Sequence, residues 1–99
     1  MNTTVNEIVF EWDEEKNRIN QHKHNVDFND AAKVFSDENR IEWFDEAHSA
    51  EEDRYITLGM VNDILNVVYT ERGEFIRLIT ARKATPRERR KYYARKESY

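Results

Sequence analysis

The sequence predicts an α+β domain in which helices cover part of an antiparallel sheet. Three observations point there. The second half carries four β-prone runs, RIEWF, DRYITLGMV, ILNVVYTER and EFIRLITAR, rich in Ile, Val, Tyr and Thr. The last three are separated only by short polar turns, at Asn62-Asp63 and Gly73-Glu74, so Asp53 to Arg82 is expected to be a meander of antiparallel neighbours. The final segment opens with a complete helix-start signal: Thr85 as N-cap, Pro86 at the first helical position, and Glu88 three residues after the cap.

From the N-terminus, Ile8 to Trp12 (IVFEW) reads as a short strand, ended by Asp13, which caps a helix through EEKNRINQHKH. That helix is polar nearly all round, with Ile19 as its one aliphatic residue, so it is expected on the surface with Lys16, Asn20 and Lys23 exposed along one stripe. Asn25 suits a left-handed residue ending the helix. A second helix, FNDAAKVF, spaces Phe28, Ala31, Ala32 and Phe35 so that its apolar side packs on a sheet. The predicted order is β-α-α-β-β-β-β-α.

Ninety-nine residues, 38% hydrophobic and 12% aromatic, suffice for one core, so residues 1–99 are expected to form a single domain. The 36% charged fraction belongs to a heavily solvated surface. With no cysteine there is no disulfide framework and no thiolate metal site, and no apolar run is long enough to span a bilayer. The expectation is a cytoplasmic protein without a membrane partner.

Charge is unevenly placed. The net charge is −4, yet Arg72 to Lys96 holds ten of the sixteen Lys and Arg residues with only Glu74 and Glu88 as acids, a formal charge of +8. Six cations and eighteen acids leave −12 for the remainder. Such polarity points to an anionic partner for the basic end or a cationic one for the acidic part. The run PRERRKYYARK is a solvated helix face on one reading; on another, Tyr92 and Tyr93 offer base-stacking surface among the cations or pack in the core. Arg77 and Arg82 are an odd number of residues apart, so a regular strand sends them to opposite faces. Arg82, at a strand end beside a helix N-terminus, is the one expected in chemistry. Arg72, across the Gly73-Glu74 turn, is expected to approach a shared phosphate, with Arg54 a third candidate.

Cutting an RNA phosphodiester without a metal needs a base for the 2′-hydroxyl, an acid for the leaving oxygen and fixed positive charge on the phosphate. Lys23, His24 and Glu88 are the proton-transfer candidates, His24 first because imidazole titrates nearest neutrality. His22 and His24 are two apart, which does not match the i, i+4 pairing of a helical zinc site, and no glycine-rich phosphate loop is present. Neither metal nor cofactor is expected.

The blocks FEWDEEKNRINQHKHNVDFNDAAKVF, EEDRYITLG, VVYTER and IRLITARKATPRERRKYY, in that order from about Phe10 to Tyr93, resemble the BrnT family of bacterial type II toxins. The one departure is Asn25, where glycine is common. The resemblance implies a RelE-like α+β fold and a ribonuclease that arrests translation. It also implies neutralisation by BrnA, a ribbon-helix-helix antitoxin, and operator DNA binding only through the toxin–antitoxin complex. The resemblance covers Trp12, Asp13, Lys16, Asn20, Lys23, His24, Arg54, Gly59, Arg72, Arg77, the block Ala81-Arg82-Lys83-Ala84, Glu88, Arg89 and Tyr92. Trp12 and Gly59 are expected to be structural, the glycine allowing close packing or a bulge. Together the expectations place Lys23, His24, Arg54, Arg72 and Arg82 in catalysis, and Arg77, Lys83, Glu88, Arg89, Arg90 and Tyr92 in RNA binding. A non-catalytic nucleic-acid-binding module and a purely structural interaction protein are the rival readings.

Overall fold

The computed structural model describes residues 1–97, with side chains through Ala94. Residues 98 and 99 of the expected domain, and the side chains of Arg95 and Lys96 in the basic run, lie outside that description. Six strands form one sheet: β1 (Asn2–Val5), β2 (Ile8–Glu11), β3 (Ile41–Phe44), β4 (Tyr55–Val61), β5 (Asp63–Arg72) and β6 (Phe75–Lys83), in the order β1-β2-β6-β5-β4-β3. The chain is therefore α+β, with the antiparallel meander formed by β3 to β6. Two features depart from the expected order. A strand precedes Ile8, joined to it by a two-residue turn in which Asn6 and Glu7 both have positive φ, the geometry that matches strand twist in a tight hairpin. In addition, β2 joins β6 in parallel, over Phe10 opposite Ile76 and Glu11 opposite Arg77.

Helix α1 (Glu14–His24), helix α2 (Phe28–Ala31) and a 3₁₀ segment (Ala32–Ser36) cover one face of the sheet. The single helix expected over FNDAAKVF is thus split, its second half wound more tightly. Phe10, Trp12, Phe28, Val34 and Phe35 pack there on Leu65, Val67, Tyr69, Leu78 and Ala81. Gly59 makes the approach possible, because a Cβ at that position would lie 2.7 Å from the Cβ of Val34. The opposite face is covered at one end only, where helix α3 (Pro86–Glu97) lays Tyr92 over Ile41, Leu58 and Ile64.

Helix α1 inverts the usual amphipathic logic. Asn17 and Asn20 are buried, whereas Ile19 is 49% exposed. The reason lies in β6: beyond Arg77 it has no partner from β2, so its edge needs hydrogen bonds from elsewhere. Asn20 supplies them. Its Oδ1 accepts from the Ala81 N–H at 3.1 Å, and its Nδ2 donates to the Ala81 carbonyl at 2.8 Å and the Val26 carbonyl at 3.0 Å. Asn17 Oδ1 accepts from the Phe28 N–H at 3.0 Å and so joins the two helices. Asn20 is therefore a clamp rather than part of an exposed stripe, which corrects the sequence-based expectation. The caps follow the sequence: Asp13 accepts from the N–H groups of Glu15 and Lys16, and Asn25 ends the helix at φ 56°.

One irregularity reorients the basic strand. On β5 the pairing steps from Tyr69 to Val68, while on β6 it steps from Leu78 to Thr80, leaving Ile79 as a bulge. Arg77 lies opposite Thr70 and Arg82 opposite Asn66, positions four apart on a regular strand. Arg77 and Arg82 consequently share a face, and the expectation of opposite faces fails because the extra residue changes the parity.

Candidate active site

Between α3 and the far end of the sheet, no helix lies over the face shared by Asn66, Val68 and Thr70. Ile56, Val68, Ile79 and Thr80 form the floor of a concavity of about 290 Å³, and Asp45, His48, Arg54, Asn66, Arg82 and Glu88 form its walls. A second concavity, of about 310 Å³, adjoins it and shares Arg54, Ile79 and Thr80; its outer wall is α1, through Lys16, Lys23 and His24. The structure thus places Lys23 and His24 in one concavity and Arg82 in its neighbour, with Arg54 lining both. Two larger hollows, of about 560 and 750 Å³, lie against α3. The first offers Arg89, Arg90 and Tyr93 with no proton-transfer group, and the second centres on Trp43, over whose ring Lys91 Nζ sits 4.0 Å from the centroid. The chemistry of bond cleavage is better supplied by the depression over the sheet.

Arg82 is held from beneath. Its Nη1 and Nη2 donate to the two oxygens of Glu88 at 2.8 and 3.0 Å, a bidentate pair, and Nη1 also donates to the Lys83 carbonyl at 3.2 Å. Of the five guanidinium hydrogens, the one on Nε and one on Nη2 remain for another acceptor. Glu88 in turn completes the predicted capping box: its carboxylate accepts from the Thr85 N–H at 2.9 Å, and its own N–H donates to Thr85 Oγ1 at 3.2 Å. Asn66 Nδ2 adds a fourth donor at 2.9 Å. Partial burial pushes the Glu88 carboxyl up, but the hydrogen bonds from Arg82, Thr85 and Asn66 and the Arg82 charge outweigh it and bring the pKa down to about 2. The hydrogen bond to Glu88 likewise raises Arg82. Glu88 is therefore a fixed anion that aims Arg82, not a proton donor, and its expected place against RNA is corrected accordingly.

Arg54 reaches the same depression from the start of β4. Its Nε is buried and has no hydrogen-bond partner in the protein, and its Nη2 lies 3.8 Å from Glu52 Oε1. The neck of the 46–53 loop is fastened around it. The Asp45 N–H donates to the Arg54 carbonyl at 2.8 Å, the Arg54 N–H donates to Ser49 Oγ at 2.9 Å, and Ser49 Oγ donates to the Asp45 carbonyl at 2.6 Å. The same loop carries His48, whose Nδ1 lies 3.0 and 3.2 Å from the two Asp45 oxygens. Sequence reasoning passed over His48, since a lone His in an acidic loop carries no periodic or spacing signal.

The remaining expected residues are dispersed. Arg72 sits six residues along β5 from Asn66, the partner of Arg82, or about 20 Å at the rise of an extended strand, so the two arginines do not share a phosphate. Arg72 is linked to Arg54 through Glu52, which lies 3.7 Å from it. Arg77 is paired with Glu11 at 3.7 Å, and Arg89 with Asp63 at 2.5 Å. Lys83 faces the other side of the sheet, in a hollow with Asn25 and Asp63. Arg90 lies on the outer flank of α3. Tyr92 is 2% exposed and donates its hydroxyl to Asp37 Oδ2 at 2.5 Å. Burial pushes Asp37 up, but the Tyr92 hydroxyl and the N–H groups of Asn39 and Met60 hold it below the usual carboxylate range. Burial and the neighbouring Asp37 carboxylate push the Tyr92 phenol up. Tyr92 is a core residue, and the stacking role expected of it is withdrawn. Among the described residues, no three His, Asp or Glu side chains are grouped to hold a metal ion.

The sequence matches, over residues 12–88, the family described as ribonuclease toxin, BrnT, of type II toxin-antitoxin system. The fold is similar to the 1.1 Å crystal structure of the Brucella abortus ribonuclease toxin, BrnT, with a TM-score of 0.55 and 26% sequence identity, over 75% of this chain and 92% of that one. No curated protein sequence matches the chain.

Proposed function

The chain belongs to the BrnT family of ribonuclease toxins of type II toxin-antitoxin systems, and on that premise we propose that it cuts RNA without a metal ion, in the depression between Arg54 and Arg82. One observation carries this reading: the guanidinium groups of Arg54, just before β4, and Arg82, near the end of β6, line one open, apolar-floored concavity, and Arg82 keeps N–H groups for a further acceptor. An anionic phosphate oxygen satisfies those donors where the surroundings strengthen the attraction. The 2′-hydroxyl loses its proton to a base as its oxygen attacks phosphorus. The P–O5′ bond breaks, the departing oxygen takes up a proton, and a 2′,3′-cyclic phosphate remains. Arg54 and Arg82 neutralise the charge that builds on the phosphorane oxygens. Lys23 and His24, across the shared floor, serve in proton transfer.

The partner side of the proposal follows from charge. Arg87, Arg90 and Lys91 on α3 have no carboxylate partner among the described residues, whereas Arg77, Arg82 and Arg89 do. A BrnA-like antitoxin with a ribbon-helix-helix part would cover the unpaired cations with its acidic residues, and operator DNA would be met only through that complex. RNA cleavage by the purified chain in EDTA, with Arg82→Ala beside it, tests the central claim. The expected products carry 2′,3′-cyclic phosphate or 3′-phosphate ends and fall at least ~10²-fold in the variant. RNA that is shifted in mobility but never cut, with ribosomes and magnesium also supplied, would replace the enzyme reading with a binding module.

A further inference from the structure

We propose that His48, oriented by Asp45, is the base that takes the proton from the attacking 2′-hydroxyl; the inference rests on the ribonuclease reading above and assigns a residue to it. His48 stands on the rim of the depression that holds Arg54 and Arg82. The Asp45 carboxylate accepts from Nδ1, which fixes that nitrogen as the protonated one and leaves the Nε2 lone pair free to accept a proton. The imidazolium formed is stabilised by the same carboxylate. Placement is secured by the Ser49 staple, which ties Asp45 and Arg54 together at the loop neck. The charged groups that face His48 are Asp45 on its own loop, Arg54 at the start of β4, Arg82 at the end of β6 and Glu88 on α3. The other acceptors on this rim are engaged, Asp45 by His48 and Glu88 by Arg82.

The reaction then divides across the shared floor. The O2′ proton passes to His48 Nε2 as the O2′–P bond forms. The P–O5′ bond breaks, and O5′ takes its proton from the α1 side, where Lys23 and His24 line the adjoining concavity. His24 as sole catalyst would leave one proton transfer unassigned. Two basic groups on opposite sides of one phosphate account for both.

The test is cleavage of a dinucleotide with a single scissile phosphate by the full chain, by His48→Ala and by Asp45→Asn, across pH 5 to 8. His48→Ala is expected to lose ~10²–10⁴ in kcat, to lose the ascending limb of the pH–rate profile, and to regain part of its rate from added imidazole. Asp45→Asn is expected to lower kcat ~10-fold with KM unchanged, as a positioning residue would. His48 is 69% exposed, so circular dichroism and melting should match the parent for His48→Ala and for a second variant, His48→Gln. Parent-like cleavage by a folded His48→Ala overturns the assignment and leaves the ribonuclease reading standing. A lower rate that imidazole does not rescue, with the pH profile unchanged, overturns it as well, since that marks a structural role. Failure of the parent chain to cut any RNA overturns the ribonuclease reading itself.

Discussion

Strands β4 and β5 pass under α3 at one end of a shared face and continue beyond it at the other. Under the helix, Leu58 and Ile64 are fully buried against Tyr92, and the Tyr92 hydroxyl is anchored on Asp37. Beyond it, Ile56 and Val68 occupy equivalent alternating positions but lie beneath Arg54, Arg82 and His48 instead of a helix. The strand pattern is the same in both regions, so alternation alone does not distinguish core from site. The cover does. Helix α3 begins at the Thr85–Glu88 capping box, and the carboxylate that starts the helix also aims Arg82 over the uncovered part. One residue thereby sets where the core stops and the site begins.

Substitutions can separate the two regions. The largest effect is expected from Leu58→Ala on the covered side: about 3 kcal/mol of stability lost in urea unfolding, from the cavity left beneath Tyr92. On the open side, Arg54→Ala is expected to cost ~10²-fold in kcat/KM, about 2.7 kcal/mol of transition-state stabilisation, while unfolding shifts by less than about 1 kcal/mol. A comparable loss of stability in Arg54→Ala would show that the open region is also core. Tyr92→Phe should lower stability by about 1–2 kcal/mol, through the Asp37 bond, with RNA binding and cleavage retained. Weakened RNA binding by that variant would restore the stacking role. The smallest effect is expected for Glu88→Gln, about 1 kcal/mol at neutral pH once solvent screening is allowed for. The folded pKa of Glu88 is about 2, below the ordinary 4.5, so its contribution is complete above about pH 4.5 and is lost as pH falls toward 2. Melting curves of parent and variant should therefore converge at the acid end of that window.

Much of the frame was legible because local chemistry decided it. The Asp13 cap, the left-handed Asn25, the turns at Asn62 and Gly73, and the Thr85–Glu88 box involve residues close in sequence, and each formed as expected. Gly59 was readable as a structural strand glycine, and of the two roles the sequence allowed, close packing or a bulge, the approach of Val34 selects the first. What escaped depends on distant partners. Asn20 looked solvent-facing because nothing in α1 reveals that β2 stops short and leaves Ala81 without a partner on that side of β6. The +8 segment looked like an open cationic surface, yet Glu11, Glu52 and Asp63, all outside it, pair with Arg77, Arg72 and Arg89. The first hairpin was hidden because Glu7 is an unusual residue at positive φ. The bulge at Ile79 follows from register, which a single strand does not carry. Of the candidate site, Arg54, Arg82, Lys23 and His24 were named from the sequence and line two adjoining concavities that share Arg54, but the carboxylates beside the two arginines and the position of His48 came only with the fold.

The Asn20 clamp also gives the Ala81 amide hydrogen a distinctive kinetic identity. In most edge strands an outward N–H exchanges with deuterium as soon as the strand frays. At Ala81 the acceptor is a side chain on another element, so exchange requires α1 to lift away from the sheet. Because α1 carries Lys23 and His24 on the wall of the adjoining concavity, the lifetime of that one proton measures how long that wall stays in place.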